Sequence, residues 1–163
     1  MVVSERLFGI KVNKDIETSI QSCVELFKKA QKEGSIKIVG GELGHEFYRD
    51  PRIVSALNEA MDRNVSIEVI YGPEMDPVTE ELMRKLWEEG KLNLWCLKER
   101  YPNHFMVVDD KFVSVEDFHL PNQDKRESLS YRTSWLGKDL AIEFLQLKTQ
   151  AELYSPSANL AHL

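Results

Sequence analysis

The stretch Pro102-Asn103-His104-Phe105-Met106-Val107-Val108-Asp109-Asp110-Lys111-Phe112-Val113-Ser114-Val115-Glu116-Asp117-Phe118-His119 decides how this chain is organised. Two runs of β-branched and aromatic residues flank the Asp109-Asp110 pair, which is typical of a β-hairpin whose turn accepts positive φ. A two-residue turn at this pair would set Val108 opposite Lys111 and would leave apolar side chains on both faces of the ribbon. Such a ribbon is expected inside a sheet that is covered on both sides.

The far ends of this hairpin carry three polar side chains, His104, Glu116 and His119. Polar groups on an otherwise buried ribbon need hydrogen-bond partners or a functional role. In the two-residue register His104 lies opposite Val115, so the side chains of His104 and Glu116 begin on opposite faces. They meet only where twist or a bulge re-aims them. We therefore predict one polar cluster at the end of the ribbon.

Before the hairpin, short apolar strands alternate with amphipathic helices. Asp50-Pro51 and Asp76-Pro77 each combine an N-cap aspartate with a proline in the first turn, so each predicts a helix start. The order strand, helix, strand with short links indicates right-handed crossovers and parallel strands, to which the hairpin adds antiparallel ones. The predicted strands are 36–39, 65–70, 92–97 and 129–134, with a weak edge strand at 7–12, and the predicted helices begin near residues 15, 51, 77 and 138.

These patterns predict an α/β sandwich with a mixed, mostly parallel sheet that is flanked by helices and holds the hairpin at its centre. The chain has 163 residues and 42% hydrophobic residues, which suits one domain with a real core. We assign residues 1–154 to this domain. Residues 155–163 contain Pro156 and small residues and are expected to form a C-terminal tail.

Charge and cysteine usage exclude several classes of protein. The net charge of −6 argues against a general nucleic-acid surface, which needs clustered Lys and Arg. Cys23 and Cys96 share no metal or redox spacing and lie in apolar patterns, so we expect reduced core residues. No signal peptide opens the chain and no apolar run is long enough for a membrane span. We therefore expect a cytoplasmic protein.

A glycine-rich turn, Gly40-Gly41-Glu42-Leu43-Gly44-His45, follows the first buried strand. Such a turn can bring backbone amides close to an anion, which makes Gly40, Gly41 and His45 candidate ligand-binding residues. The turn has neither the Walker pattern nor the dinucleotide-binding pattern. Glycines that only shape the turn are the simpler interpretation.

The hairpin resembles the signature of the phospholipase D superfamily, which is His-x-Lys, four residues, Asp, and then a short strand ending in Gly-Ser-x-Asn. In this alignment Asp109 takes the Asp, Pro102 stands at the nucleophilic histidine and His104 stands at the lysine. Glu116-Asp117 replaces Gly-Ser, and His119 replaces the Asn.

A second alignment of this stretch with the family signature is also open. It sets His104 at the family's histidine, which places Met106 at the lysine and Lys111 at the Asp. In both registers most of the residues that carry the family's chemistry are replaced.

The resemblance implies a phospholipase D-like fold from about Asp15 to about Ala151. It also implies a homodimer, because family members with a single motif form their active site across a two-fold axis. Transesterase chemistry should be lost, since Pro102 has no side-chain nucleophile. Effector-binding domains of archaeal sugar-sensing transcription regulators are similar in fold pattern. The main hypothesis is thus a catalytically degenerate binding, regulatory or interaction module, with a small anionic ligand or a protein as its partner.

One alternative is a phosphodiesterase or nuclease-type hydrolase with a remodelled site. His104 and His119 would supply the nucleophile and the acid beside Glu116, and Arg132 or Lys111 would supply positive charge. In this reading Asp109 and Arg132 join the candidate ligand-binding residues. The carboxylates of the Glu116-Asp117 pair oppose this alternative, because they add negative charge where a phosphate would have to lie.

The other alternative is a metal-dependent hydrolase that uses His104, Glu116 and His119. Two histidines and one carboxylate are a known catalytic zinc set. The spacing of eleven intervening residues and then two matches no recognised signature. A hydrogen-bonded polar network is the simpler interpretation, and we predict no metal and no cofactor.

Overall fold

The computed structural model describes residues 10–116, 128–132 and 134–156. The fold is built on one mixed β-sheet. Within these residues the sheet has eight strands in the spatial order β1-β7-β6-β5-β2-β3-β4-β8. The pairs β2–β3 and β3–β4 are parallel, and the other neighbouring pairs are antiparallel. The strands are β1 (Ile10–Asn13), β2 (Ser35–Val39), β3 (Ser66–Tyr71), β4 (Asn93–Cys96), β5 (His104–Val108), β6 (Phe112–Glu116), β7 (Ser128–Arg132) and β8 (Glu152–Leu153).

Aspartate N-caps start three of the four described helices that precede the hairpin, and the fourth, a single turn, begins after Gly44. Asp15 accepts a hydrogen bond from the Thr18 amide at 2.7 Å, and Asp50 and Asp76 cap the two helices that open with proline, as predicted. No helix in the described ranges is both long and apolar enough to cross a bilayer. The helices are α1 (Ile16–Lys28), α2 (His45–Tyr48), α3 (Pro51–Asp62), α4 (Pro77–Glu88) and α5 (Ser134–Gln150).

Helices cover both faces of the sheet. On one face the buried side chains of α1, α3 and α4 pack against strand residues such as Ile36, Ile38 and Leu94. On the other face Phe144 and Leu147 of α5 pack against Val39, Ile70, Phe105, Val107 and Val113. The predicted α/β sandwich with a mixed sheet and a central hairpin is confirmed. The expectation of a mostly parallel sheet was wrong, because among the described strands only β2, β3 and β4 pair in parallel.

The hairpin turn has the predicted backbone but a different length. Asp109 and Asp110 have φ values of 53° and 54°, as a turn of positive φ requires. However, Val108 pairs with Phe112, so Asp109, Asp110 and Lys111 all lie between the strands. The two-residue register was wrong by one position.

Long-range packing explains this register. Val107 lies opposite Val113, and both are fully buried on the α5 face of the sheet. The same shift sets His104 directly opposite Glu116, so their side chains share one face without a bulge.

The end of the chain also departs from the prediction. α5 begins four residues earlier than predicted and ends at Gln150, and β8 then pairs with β4 at the sheet edge. Tyr154 follows β8, and its amide donates to the Leu94 carbonyl. Residues 7–9 of the predicted edge strand and residues 157–163 of the predicted tail lie outside the described residues.

Both cysteines are free, but only one belongs to the core. Cys23 is buried against Met106, and burial raises the pKa of its thiol well above the ordinary value. This thiol therefore stays protonated and unreactive. Cys96 is half-buried at the end of β4, which corrects the prediction of a core position.

The register predicts that Val113→Asp destabilises the domain by about 3–5 kcal/mol, because it buries a carboxylate without a partner beneath α5. Urea unfolding followed by circular dichroism measures the change. Val78→Asp, at a valine that is 45% exposed, is the matched control and should shift stability by less than about 0.5 kcal/mol. Equal stability of Val113→Asp and the parent would contradict the central position of the hairpin.

Acid should weaken the cap of α4. Burial alone would raise the pKa of Asp76, but hydrogen bonds from His45 and from the amides of Thr79 and Val78 outweigh it, and the pKa lies below the ordinary value of 3.8. The stabilisation is therefore complete above the unfolded-state pKa and is lost as pH falls through the lower folded-state pKa. Asp76→Asn should cost about 0.3–1 kcal/mol of unfolding free energy at neutral pH, because asparagine still caps the helix but lacks the negative charge that the helix N-terminus favours. The difference from the parent should shrink below pH 3.8, and a difference independent of pH would contradict this role.

Candidate functional site

The candidate site lies where β2 ends and β5 begins. These strands are antiparallel and pair Val39 with Phe105, so the next residues, Gly40 and His104, meet at the same edge of the sheet. The amide of Gly40 donates a hydrogen bond to the carbonyl of Ile70 at 3.0 Å, so hydrogen bonding with β3 continues one residue beyond the end of β2. The glycine-rich turn and the histidine of the hairpin, which were separate candidates in the sequence, are thus neighbours.

His104 is enclosed between a carboxylate and a backbone turn. Its Nδ1 lies 3.2 Å from Oε2 of Glu116, and the whole residue is only 8% exposed. A Cβ atom at Gly41 would lie 3.2 Å from Cε1 and 3.3 Å from Nε2 of this imidazole. A side chain at position 41 would therefore require the imidazole to shift by a few tenths of an ångström. We call these three residues, Gly41, His104 and Glu116, the ribbon-end site.

The ribbon-end site continues a row of polar positions across the sheet. Register pairs Asn13 with Ser128, Ser128 with Glu116, and Glu116 with His104. Asn13 is fully buried, and its Oδ1 accepts a hydrogen bond from the hydroxyl of Ser22 on α1 at 2.5 Å. No pattern in the sequence connects Asn13 with this row, because Asn13 joins it only through pairing with β7, more than a hundred residues away in the chain.

The other predicted site residues lie elsewhere or outside the described ranges. His45 begins α2, and its Nδ1 is 2.7 Å from Oδ2 of Asp76, which links it to the start of α4. Arg132 pairs with Phe112 at the turn end of the ribbon, away from the row that contains Glu116. His119 is not among the described residues, so the structure tests only the His104–Glu116 part of the predicted cluster.

Asp109 has a structural contact at the opposite end of the ribbon. Its two carboxylate oxygens accept hydrogen bonds from the amides of Gln31 and Ser35 at 2.8 and 2.9 Å. A Cβ atom at Gly34 would lie 2.1 Å from Oδ1 of Asp109 and 2.8 Å from the Gln31 carbonyl oxygen, so this contact leaves no room for a side chain at position 34. The length of β5 separates Asp109 from the ribbon-end site.

The donor set of the ribbon-end site is one imidazole and one carboxylate. In the described ranges no three His, Cys, Asp or Glu side chains are grouped so that they could hold a metal ion. The zinc alternative therefore depends on His119. The imidazole and carboxylate can hold or transfer a proton, or hydrogen-bond a polar ligand.

Comparison with known proteins gives structural relatives only. No protein-family model and no curated protein sequence matches the chain. Among solved structures, Nuc from Salmonella typhimurium, described as a phospholipase D family member, superposes with a TM-score of 0.70 at 15% identity. The match covers 89% of this chain and 97% of Nuc. NucT from Helicobacter pylori matches with a TM-score of 0.69 at 12% identity over 89% of this chain and 98% of its own.

A third relative has a different description. TrmBL2, an archaeal chromatin protein with a novel mode of DNA binding, superposes with a TM-score of 0.69 at 16% identity. The match covers 89% of this chain but only 54% of TrmBL2. These identities establish the architecture alone, and the chain therefore has the phospholipase D-like fold.

Proposed function

We propose that this chain is a catalytically degenerate phospholipase D-like domain that acts as a binding, regulatory or interaction module. The observation that carries the proposal is the enclosure of His104, which stands at the lysine position of the family signature. Its imidazole is covered by Gly41 and is paired with the carboxylate of Glu116. A nucleophile needs an open path to the substrate, whereas a buried imidazole–carboxylate pair is suited to fixing structure or to hydrogen-bonding a ligand.

Charge supports the same conclusion. Glu116 places a carboxylate within 3.2 Å of the imidazole, at a side-chain exposure of 28%. A phosphate group bound nearby would be repelled by about 1 kcal/mol in water at 4 Å, and by ~4 kcal/mol at an effective dielectric constant of 20. Phosphoryl transfer instead needs cations around the phosphate. The ribbon-end site therefore disfavours a phosphodiester.

The descriptions of the structural relatives indicate that proteins with this fold have several functions. Their descriptions include a phospholipase D family member and a DNA-binding chromatin protein, although the latter matches over 54% of its length. We therefore propose that this domain binds a small ligand or a protein partner, with Gly40 and Gly41 at the site, His45 at the start of the following helix α2 and no cofactor. The family resemblance also supports proposing a homodimer.

A phosphodiesterase or nuclease is the second candidate, because an imidazole oriented by a carboxylate is the usual form of a general base. His104 and Glu116 provide this pair. His119 would have to act as the second acid, and Asp109 lies too far along the ribbon to assist.

We expect no phospholipase or phosphodiesterase activity. Purified protein would be assayed on phosphatidylcholine and on bis-p-nitrophenyl phosphate, with and without divalent metals. The expected rate equals that of buffer, because proline at 102 offers no nucleophile. Turnover that disappears in His104→Ala would overturn the proposal in favour of the second candidate.

Removing the carboxylate should improve the binding of phosphate. Glu116→Gln is expected to raise affinity for inorganic phosphate at least about fivefold, since ~1 kcal/mol of repulsion is lost. Isothermal titration calorimetry measures the change. Glu81→Gln, an identical change on the exposed surface of α4, is the matched control and should have no effect. An unchanged affinity in Glu116→Gln would contradict the electrostatic argument.

A further inference from the structure

The glycine-rich turn, residues 40–45, covers His104 but is held in place by another part of the chain. A Cβ atom at Gly41 would lie 3.2 Å from Cε1 of the imidazole, so the two residues meet in a packing contact. The hydrogen bonds of the turn go instead to the segment between β3 and α4, residues 72–76. The position of Gly41 over His104 therefore depends on that segment.

Two backbone hydrogen bonds join the turn to this segment. The amide of Gly72 donates to the Gly41 carbonyl at 3.2 Å, and the amide of Asp76 donates to the Glu42 carbonyl at 2.6 Å. Hydrogen bonds fix both the distance and the direction between their partners. A shift of residues 72–76 relative to the sheet would therefore move Gly41 as well.

The carboxylate of Asp76 adds a side-chain connection. Its Oδ2 atom lies 2.7 Å from Nδ1 of His45 and accepts the backbone amide of His45 at 3.3 Å. Its Oδ1 atom accepts the amides of Val78 and Thr79. One oxygen thus holds the end of the glycine-rich turn and the other holds the start of α4. We call the contact between the His45 and Asp76 side chains the turn latch.

The turn latch is open to solvent, whereas the histidine that the turn covers is not. The side chain of His45 is 52% exposed and that of Asp76 is 18% exposed, but the side chain of His104 is only 10% exposed. One hydrogen bond at such exposure breaks at a small fraction of the free energy that unfolding requires. The latch is therefore a place where the site can open while the fold stays intact.

Backbone strain in the turn favours opening once the latch is broken. Leu43 has a φ of 55°, in the left-handed region that leucine rarely adopts. Its side chain is nearly fully buried and lies against Gly40, where a Cβ atom would be 2.5 Å from its Cδ2. Strained residues persist only where the surrounding contacts hold them. Burial of Leu43 and the bonds to residues 72–76 and to Asp76 are the contacts that hold this turn.

We propose that His45 and Asp76 are positioning residues that control, through the glycine-rich turn, how far His104 is open to a ligand. The inference rests on the proposed function, because it concerns access to the ribbon-end site. A ligand that reaches the edge of the imidazole covered by Gly41 has to displace the turn, so ligand binding and breaking of the latch are coupled. His45 thus has a role that needs no contact with the ligand.

Proton NMR with a soluble gadolinium chelate tests this role. The chelate relaxes the Hε1 proton of His104 according to its exposure, and this proton is bonded to the carbon that Gly41 approaches. His45→Ala removes the imidazole of the latch and should raise this relaxation at least about twofold, because the net contribution of one hydrogen bond shifts an equilibrium by that factor or more. His45→Asn places an amide N–H where Nδ1 lies, so it should restore the parent value. Loss of one of the four histidine signals in His104→Gln assigns the proton.

Ile67→Val is the matched control for stability. Ile67 is fully buried near the start of β3, at the edge of the sheet opposite to the latch, so the variant lowers the free energy of unfolding without touching the turn. The relaxation of His104 should stay at the parent value in this variant. An unchanged relaxation in His45→Ala, or an equal rise in His45→Asn, would overturn the inference. Neither measurement needs a ligand or turnover, so the activity assay tests the proposed function separately.

Discussion

The contact between Asp109 and the start of β2 sets the position of everything at the centre of the sheet. The Asp109 carboxylate accepts two backbone amides, and its own amide donates to the Ser35 carbonyl. These bonds fix where β5 lies along β2. That register brings His104 to the end of β2, where Gly41 covers it. A slip of one residue would turn every side chain of the ribbon to the opposite face.

Local chemistry made much of this fold predictable. The caps at Asp50 and Asp76 and the positive φ of Asp109 follow from neighbouring residues alone, and they were found. The predicted hairpin register was wrong because the turn is held by Gln31 and by Ser35 at the start of β2, 78 and 74 residues away, rather than by the turn residues themselves. Asn13 was missed for the same kind of reason, since it joins the polar row only through pairing with β7. β8 is two residues long, too short to give a periodic signal.

The candidate site was half predictable. Polar residues on an apolar ribbon drew attention to His104 and Glu116, and the structure places them together. The prediction that their side chains begin on opposite faces of the ribbon was wrong, because the observed register sets His104 directly opposite Glu116. The contact with Gly41 joins the turn after β2 to the hairpin, and no pattern within either segment specifies it. A shared fold provides the place for a site, but the side chains there decide its chemistry.

The bonds of Asp109 also constrain the order in which the chain can fold during synthesis. β2 and β3 pair in parallel, and all of their residues are made before the hairpin. Until Asp109 leaves the ribosome, the edge of β2 that later pairs with β5 has no strand beside it. Such an edge is a template for pairing with other chains. The nascent domain is therefore prone to aggregation while this edge is unpaired. This period ends when β5 pairs with β2 and Asp109 accepts the hydrogen bonds of Gln31 and Ser35.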